Sequence, residues 1–361
     1  MKRIGHLYEQ MVSIENCKIA ILKASKRKEK RKEVAYILKY IDEFAEDLSK
    51  RLIALNFTSP YKKKIIQDGL SGKQRELQIP NFYPDQCAHH AIVQTLRPII
   101  EKGSYYWSCA NIPKRGIDKA CKGIERATIR DQKHAKYSLK WDIAQFYKSI
   151  SHFKLKKRFR DKIKDKRALA IIFTLIDSHF PGLPIGNYTS PWFAEFFLQP
   201  LDRLVKQTCR IPHMVRYADD MTLIDNNKKR LRRALVIIRD WLKEQKLSMK
   251  RDYKIFKIRL EGIKRGRKID FCGRCFARGY TTIRKRRALA FMRQSRYIRK
   301  LMAKGKEIKP HFAIGYISRS SCLKHTCSKG LKEKYYDSVN IRKVKGIIRN
   351  ESKRQLEARC A

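Results

Sequence analysis

The chain has 361 residues, 43% of them hydrophobic, which is enough for a sizeable core and excludes a disordered polymer. Its 85 Lys and Arg face only 34 Asp and Glu, a formal charge of +51; such an excess opposes compaction unless a polyanion neutralises it, so nucleic acid is the expected partner. No stretch approaches about 18 uninterrupted apolar residues and "MKRIGHLYEQ" lacks an apolar signal core, so the expectation is a cytoplasmic protein with no membrane partner, its ten cysteines reading as buried thiols.

In chain order, the first sixty residues read as helical. Arg31 to Leu55 carries Val34, Ile37, Leu38, Ile41, Phe44, Leu48 and Leu52 close to a helical period, and "NFTSPY" ends it. "KKKIIQDGLSGKQRELQIP" reads as strand, turn, strand, and Pro84 to Lys102 as a helix opened by Pro and Asp. "YSLKWDIAQFYKSI" is a strand running into a helix start. Residues 154–180 read as helix, "GLPIGNY" as a turn and "TSPWFAEFFLQPLDRLVKQ" as an apolar helix. "HMVRYADDMTLI" is a hairpin, "KRLRRALVIIRDWLKEQKL" an amphipathic helix, and "RKIDFCGRCFA" a strand pair. After Tyr280 the chain reads as basic and helical. Helices and strands mix without a regular βαβ period, so the fold class is α+β.

Asp219 and Asp220 stand side by side between apolar strands, where like charges repel and resist burial. One explanation is a polar hairpin turn. The other is a shared cation. Asp142 ends an alternating strand 77 residues upstream of Asp219, and three carboxylates from two strand ends can hold two Mg²⁺ ions.

The surrounding residues favour the second explanation. "YADD" between apolar strands resembles the signature box of reverse transcriptases, and "WDIAQFYKSISH" resembles their first catalytic box. "GLPIGNYTSPWFAEFFLQPLD" resembles the glycine-containing box of the nucleotide pocket, and "GKQRELQIPNFYPDQCAHHAIVQTLRPIIE" the fingers box. "KLSMKRDYKIFKI" and "IDFCGRCFA" sit where the later palm boxes and primer grip belong. The ordered set spans roughly residues 30–340.

The resemblance implies a right-hand polymerase fold with fingers, an antiparallel palm sheet and a helical thumb. The implied division is a helical extension at 1–60, fingers and palm at 61–278, and a basic thumb with its tail at 279–361. Asp142, Asp219 and Asp220 would be catalytic and bind two Mg²⁺, with Mn²⁺ an alternative, and Ile143 would add its backbone carbonyl. Lys73, Arg75, Tyr147, Ile185 and Gly186 would bind the incoming deoxynucleotide, Tyr147 as the ring that clashes with a ribose 2′-hydroxyl. Phe271 and Gly273 would form the primer grip, and Tyr217 would pack near the primer end. Four of these have a plainer reading: core packing for Tyr147 and Tyr217, a solvated basic loop for Lys73 and Arg75.

The implied activity is RNA-directed DNA polymerisation for a bacterial or phage retroelement, with template RNA, cDNA and dNTPs as ligands. Ile185 stands where many relatives carry Gln. An apolar residue there is typical of diversity-generating retroelement enzymes, where it is linked to low fidelity at template adenines, and the tail "HFAIGYISRSSCLKHTCSKGLKEKYY" also resembles theirs. Ser190-Pro191 departs from that group, so a defence-associated enzyme and a ribonucleoprotein scaffold with little synthesis stay as alternatives. A structured non-coding RNA and a small accessory protein are the further partners such roles carry.

Overall fold

The computed structural model describes residues 3–67, Gly72 and 74–357. Four helices open the chain: α1 (Tyr8–Val12), α2 (Ile14–Ser25), α3 (Lys32–Lys39) and α4 (Ile41–Ile53). Ser13 caps α2, its Oγ accepting from Asn16 N at 3.2 Å. The continuous helix expected over Arg31 to Leu55 is broken at Tyr40, whose φ of −114° and ψ of 42° leave the helical region between α3 and α4.

Strands β1 (Lys62–Gln67) and β2 (Gln74–Ile79) form an antiparallel hairpin. A wide helical turn at Phe82–Gln86 precedes α5 (Cys87–Gly103), so the expected helix begins three residues later than Pro84. Helix α6 (Ile117–Glu125), β3 (Tyr137–Trp141) and the single turn α7 (Phe146–Ser149) follow. The helix expected over 154–180 is two, α8 (His152–Lys162) and α9 (Lys166–Asp177). Asp165 makes the break: Oδ1 caps Ala168 N at 3.2 Å, while Oδ2 accepts from Leu7 N and Tyr8 N at 3.0 and 2.9 Å. The carboxylate therefore starts α9 and fastens the N-terminal segment to it.

Helix α10 (Ser190–Arg203) buries Phe193, Phe196 and Phe197. Next come β4 (His213–Tyr217), β5 (Asp220–Asp225), α11 (Lys228–Glu244) and β6 (Lys254–Lys257). Strands β4, β5, β3 and β6 lie in that order in one antiparallel sheet. Helix α5 packs on both α2 and α10. The apolar faces of the N-terminal helices and of the sheet helices accordingly share one core, from Leu7 to Leu247.

A second sheet holds β7 (Ile269–Phe271), β8 (Arg274–Phe276) and β9 (Thr281–Ile283). The last of these falls where only helix was expected after Tyr280, three β-favouring residues being too few to show a period. Helices α12 (Lys285–Ala303), α13 (Pro310–Ser320), α14 (Lys329–Lys332) and α15 (Ile341–Glu357) complete the described chain. They close around a separate core that includes Phe291, Ile298, Tyr316, Tyr335 and Val344. Helix α12 has seven Lys or Arg among its 19 residues. Cys17, Cys87, Cys109, Cys121 and Cys209 are buried free thiols.

Candidate active site

The register of the four-stranded sheet builds the site. Trp141 pairs with Met221 across β3 and β5, so the next residue on each strand, Asp142 and Asp220, comes abreast at the same end of the sheet. Tyr217 pairs with Asp220 across β4 and β5, leaving Ala218 and Asp219 as a two-residue turn. Ala218 takes a left-handed φ of +55°. A residue with a Cβ is held there at a cost of roughly 1–3 kcal/mol, which surrounding contacts must offset.

Asp142 and Asp219 are near enough for each carboxyl to feel the other's charge. Two carboxyls that close favour a proton or a cation between them. Burial, then Asp142, holds Asp219 far above the usual carboxylate range, at about 7. Burial also raises Asp220, against the pull of Lys140 and with Asp142 and Asp270 adding repulsion. Lys140 Nζ sits 3.3 Å from Asp220 Oδ2 and also donates to the Asp270 carbonyl. Lys250 Nζ pairs with Asp142 Oδ2. The other oxygens, Asp142 Oδ1 and Asp220 Oδ1, are buried and accept no hydrogen bond.

That donor set fits a hard divalent cation: oxygen ligands only, two of them buried and unpartnered. Ile143 supports it from the backbone. Ala144 N donates to Ser248 O and Lys250 N to Asp142 O, so β3 continues past Trp141 as an isolated bridge of Ile143 to Met249. In this bridge the flanking residues make the bonds, which leaves the Ile143 carbonyl turned away from residues 248–250. The Ile143 side chain is fully buried in the core.

Tyr147, at the start of α7, is part-buried, and burial pushes its phenol up to about 12, with Asp219 and Glu195 as neighbouring charges. Leu183 N donates to Tyr147 O at 2.8 Å, so the loop of residues 181–187 lies against this turn. The same loop meets β2, where Gln78 N donates to Ile185 O at 2.7 Å. Gly186 has φ +127°, and a Cβ there would stand 2.5 Å from Gln78 O. The glycine required at 186 is therefore explained by β2.

A cleft of about 720 Å³ opens between the β1–β2 hairpin and this loop, lined by Tyr61, Lys63, Arg75, Lys148, Phe180 and Ile185. Arg75 is exposed, and Ile185 keeps 38% of its surface, which is high for an isoleucine beside a packed loop. Tyr61 braces the cleft wall, its hydroxyl 2.8 Å from Ser178 Oγ and accepting from Asn187 Nδ2 at 2.7 Å. Lys73 lies outside the described residues.

Phe271 is fully buried at the end of β7. Cys272 and Gly273 turn the chain into β8 with φ of +48° and +83°, the pair of positive angles that a two-residue hairpin of this twist needs. A Cβ on Gly273 would collide with the Arg287 guanidinium. Tyr217 is part-buried among the residues packed around Phe271, with Cys272 and Cys109 as neighbours. The structure thus gathers Asp142, Ile143, Asp219, Asp220, Tyr147 and Tyr217 at one sheet end, places Arg75 and Ile185 on the adjoining cleft with Gly186 next to Ile185, and sets Phe271 beside Lys140 with Gly273 in the turn that follows it.

Several residues of this region escaped sequence reasoning. Lys140 and Lys250 are two among 85 basic residues, yet Lys140 shares a strand face with Asp142 by alternation. Arg216 sits inside the apolar run of β4 and is fully buried with Glu195 and Asp202 of α10. Charged residues inside apolar runs of two elements were the available signal. At the opposite end of β4 from the turn, Asp131 takes His134 Nδ1 and His213 Nε2 on its two oxygens, each at 2.7 Å. That trio satisfies itself and clamps the segment before β3 to the sheet edge.

Residues 62–258 match the family described as "Reverse transcriptase (RNA-dependent DNA polymerase)". The chain is 26% identical over 181 residues to the group II intron-encoded protein LtrA of Lactococcus lactis subsp. cremoris, covering 46% of this chain and 29% of that protein. It is 30% identical over 145 residues to the retron Ec73 reverse transcriptase of Escherichia coli, covering 37% of this chain and 46% of that one. The chain spans less than half the length of either relative. Among solved structures, telomerase from Candida albicans in complex with a TWJ fragment of telomeric RNA aligns at 13% identity and a TM-score of 0.49, over 79% of this chain and 58% of that one. The apo telomerase of Candida tropicalis, truncated of its C-terminal domain, aligns at 13% identity and 0.46, over 67% and 60%.

Proposed function

The chain belongs to the reverse transcriptase (RNA-dependent DNA polymerase) family, its match covering residues 62–258, and from that premise we propose that it is an active RNA-directed DNA polymerase of a bacterial or phage retroelement. The observation that carries this reading is the sheet end itself. Asp142 and Asp220 stand abreast, Asp219 is near enough to feel the charge of Asp142, and two buried carboxylate oxygens there accept no hydrogen bond.

Asp142, Asp219, Asp220 and the Ile143 carbonyl would hold divalent metal, two Mg²⁺ with Mn²⁺ as the alternative. When bound, such ions favour the ionised form of an attacking 3′-hydroxyl and offset charge on departing pyrophosphate. The protein's own residues do the rest. Tyr147 fills the space a ribose 2′-hydroxyl would need, favouring dNTPs. Arg75, with Lys73, reaches the triphosphate through charge-assisted hydrogen bonds. The Ile185–Gly186 backbone, fixed to Gln78, floors the nucleotide pocket. Phe271, Gly273 and Tyr217 brace the primer end. The basic face of α12 follows template–primer phosphates.

The proposed division keeps a helical extension at 1–60, fingers and palm at 61–278 and thumb with tail at 279–361. The separate core of α12, α13 and α15 supports the last unit. The N-terminal helices, which pack into the palm core, would act as part of the polymerase body. No described helix is long and apolar enough to cross a membrane. A cytoplasmic ribonucleoprotein carrying its template RNA fits the charge of +51. The group II intron and retron relatives favour a retroelement role. Within it, the exposed apolar side chain of Ile185 at the cleft favours the diversity-generating type over the defence type, because an amide is missing where the nucleotide would sit.

Primer extension with an RNA template, dNTPs and Mg²⁺ tests the reading. Extension by the wild type and none by Asp219→Asn is expected. Equal extension by both, or none by either, overturns it.

A further inference from the structure

Arg216 lies on β4, two residues before the strained Ala218 and three before Asp219, and no surface of it reaches solvent. A guanidinium has five N–H donors in one plane. Here the group makes four hydrogen bonds and a further ion pair. Nε donates to Asp202 Oδ1 at 2.8 Å, and Nη2 to Asp202 Oδ2 at 2.6 Å and Glu195 Oε1 at 2.9 Å. Nη1 meets Glu195 Oε2 at 2.9 Å and the Ala218 carbonyl at 3.2 Å. The Ser108 hydroxyl completes Glu195, 2.8 and 2.9 Å from its two oxygens. The backbone is held as well: Arg216 N donates to Trp107 O at 3.0 Å, and Cys109 N donates to Arg216 O at 2.9 Å.

Three parts of the site meet on this one side chain. The Ala218 carbonyl belongs to the turn that carries Asp219. Glu195 and Asp202 stand seven residues apart on α10, two turns along one face, and α10 starts at Ser190, just after the Gly186 loop. Ser108 belongs to the segment bridging to β4. Buried ion groups of this kind contribute little net stability compared with apolar packing, because desolvation offsets their attraction. What the fork supplies is geometry: a planar, bidentate group fixes distance and angle where a flexible ammonium does not.

We propose that Arg216 is the positioning residue of the catalytic turn, holding Ala218 in its left-handed conformation so that Asp219 faces Asp142, and tying that turn through α10 to the nucleotide-pocket loop. The proposal rests on the polymerase reading for its catalytic consequence, but it concerns the carboxylate geometry itself and so can be tested on the protein without turnover. Lys at 216 keeps one charge but gathers three donors on a single nitrogen, so it cannot reproduce the five contacts that three separate guanidinium nitrogens make to Asp202, Glu195 and the Ala218 carbonyl. A misplacement of about 1 Å at a reacting centre costs on the order of 10²-fold in rate.

The test compares wild type, Arg216→Lys and the milder Ser108→Ala, all as full chains whose folding is checked by circular dichroism. Mn²⁺ binding is titrated by electron paramagnetic resonance with no nucleic acid or dNTP present. Weakening of about 10-fold in Arg216→Lys, and a smaller weakening in Ser108→Ala, is expected. In primer extension, kcat should fall about 10²-fold for Arg216→Lys while the KM for dNTP stays within about 2-fold. Folded Arg216→Lys with wild-type Mn²⁺ affinity overturns the proposal. If Arg216→Lys does not fold, unchanged Mn²⁺ affinity in Ser108→Ala overturns it instead. A wild type that binds Mn²⁺ in an Arg216-dependent way but extends no primer would sink the polymerase reading and leave the positioning role standing.

Discussion

Gly186 and Gln78 are in such close register that a side chain at 186 would stand 2.5 Å from the Gln78 carbonyl oxygen. The contact joins the loop of residues 181–187 to β2, with Gln78 N bonded to Ile185 O across the same seam. Gly186→Ala must either distort a φ of +127° or push β2 away. A destabilisation of roughly 1–3 kcal/mol is expected, read by denaturant titration. The KM for dNTP should rise, because the displaced strand carries Arg75. A variant with wild-type stability and wild-type KM would refute the seam.

Asp219→Asn separates chemistry from stability. Burial and Asp142 raise the folded pKa of Asp219 to about 7, well above an ordinary carboxylate. A group raised in this way contributes stability that is present below its unfolded pKa and lost as pH rises through the folded one. Wild type should therefore lose thermal stability relative to Asp219→Asn between about pH 4 and pH 8. Mg²⁺ should narrow the gap at the upper end by replacing the proton between the carboxylates. Melting curves at several pH values, with and without Mg²⁺, read both effects. Parallel pH profiles for the two proteins would contradict the geometry.

Ile185→Gln places an amide at the cleft wall without touching the core, since the native side chain is 38% exposed. Stability should change by less than about 0.5 kcal/mol. If the diversity-generating reading holds, sequenced cDNA from the variant should carry fewer substitutions opposite template adenines than cDNA from wild type. An unchanged error spectrum counts against that subtype and leaves the polymerase reading intact.

Template–primer affinity should fall steeply with salt. For about 6–10 phosphate contacts the loss is roughly 10³–10⁵ between about 50 and 200 mM. Arg286 and Arg293 are exposed on α12. Replacing each by Ala should reduce the salt slope by about 1, which fluorescence anisotropy across a salt series measures. A slope unchanged by the double substitution would remove α12 from the nucleic-acid path.

Much of the four-stranded sheet was legible in the sequence because its signals are local. Alternation marks β3, and paired charges between apolar runs mark the β4–β5 turn. The order of motifs carried the right-hand polymerase class. Long-range pairings were harder to read. Asp165 looks like one more acid in a basic helix, yet it starts α9 and anchors Leu7 and Tyr8 from 157 residues or more away. Gly186 reads as room for a nucleotide, while the atom it makes room for belongs to Gln78. Lys140 reads as surface charge until the sheet register brings Asp220 and β7 to it. Arg216 stands out only if its burial is assumed, and burial depends on α10 offering two acids on one face.

The separate core around Phe291, Tyr316 and Tyr335 bears on how the enzyme could keep hold of its substrate. Near the join to the four-stranded sheet, Asp270 takes Lys140 on its carbonyl and Arg284 on its carboxylate, linking Asp220 to the foot of α12 through polar contacts. Polar contacts exchange with water far more cheaply than a packed interior comes apart. Movement at this junction would therefore cost less than opening the interior of the C-terminal helices, which is packed on its own. On the proposed polymerase reading, processivity, the number of nucleotides added per encounter, becomes a property that substitutions at this junction would tune without altering Asp142, Asp219 or Asp220.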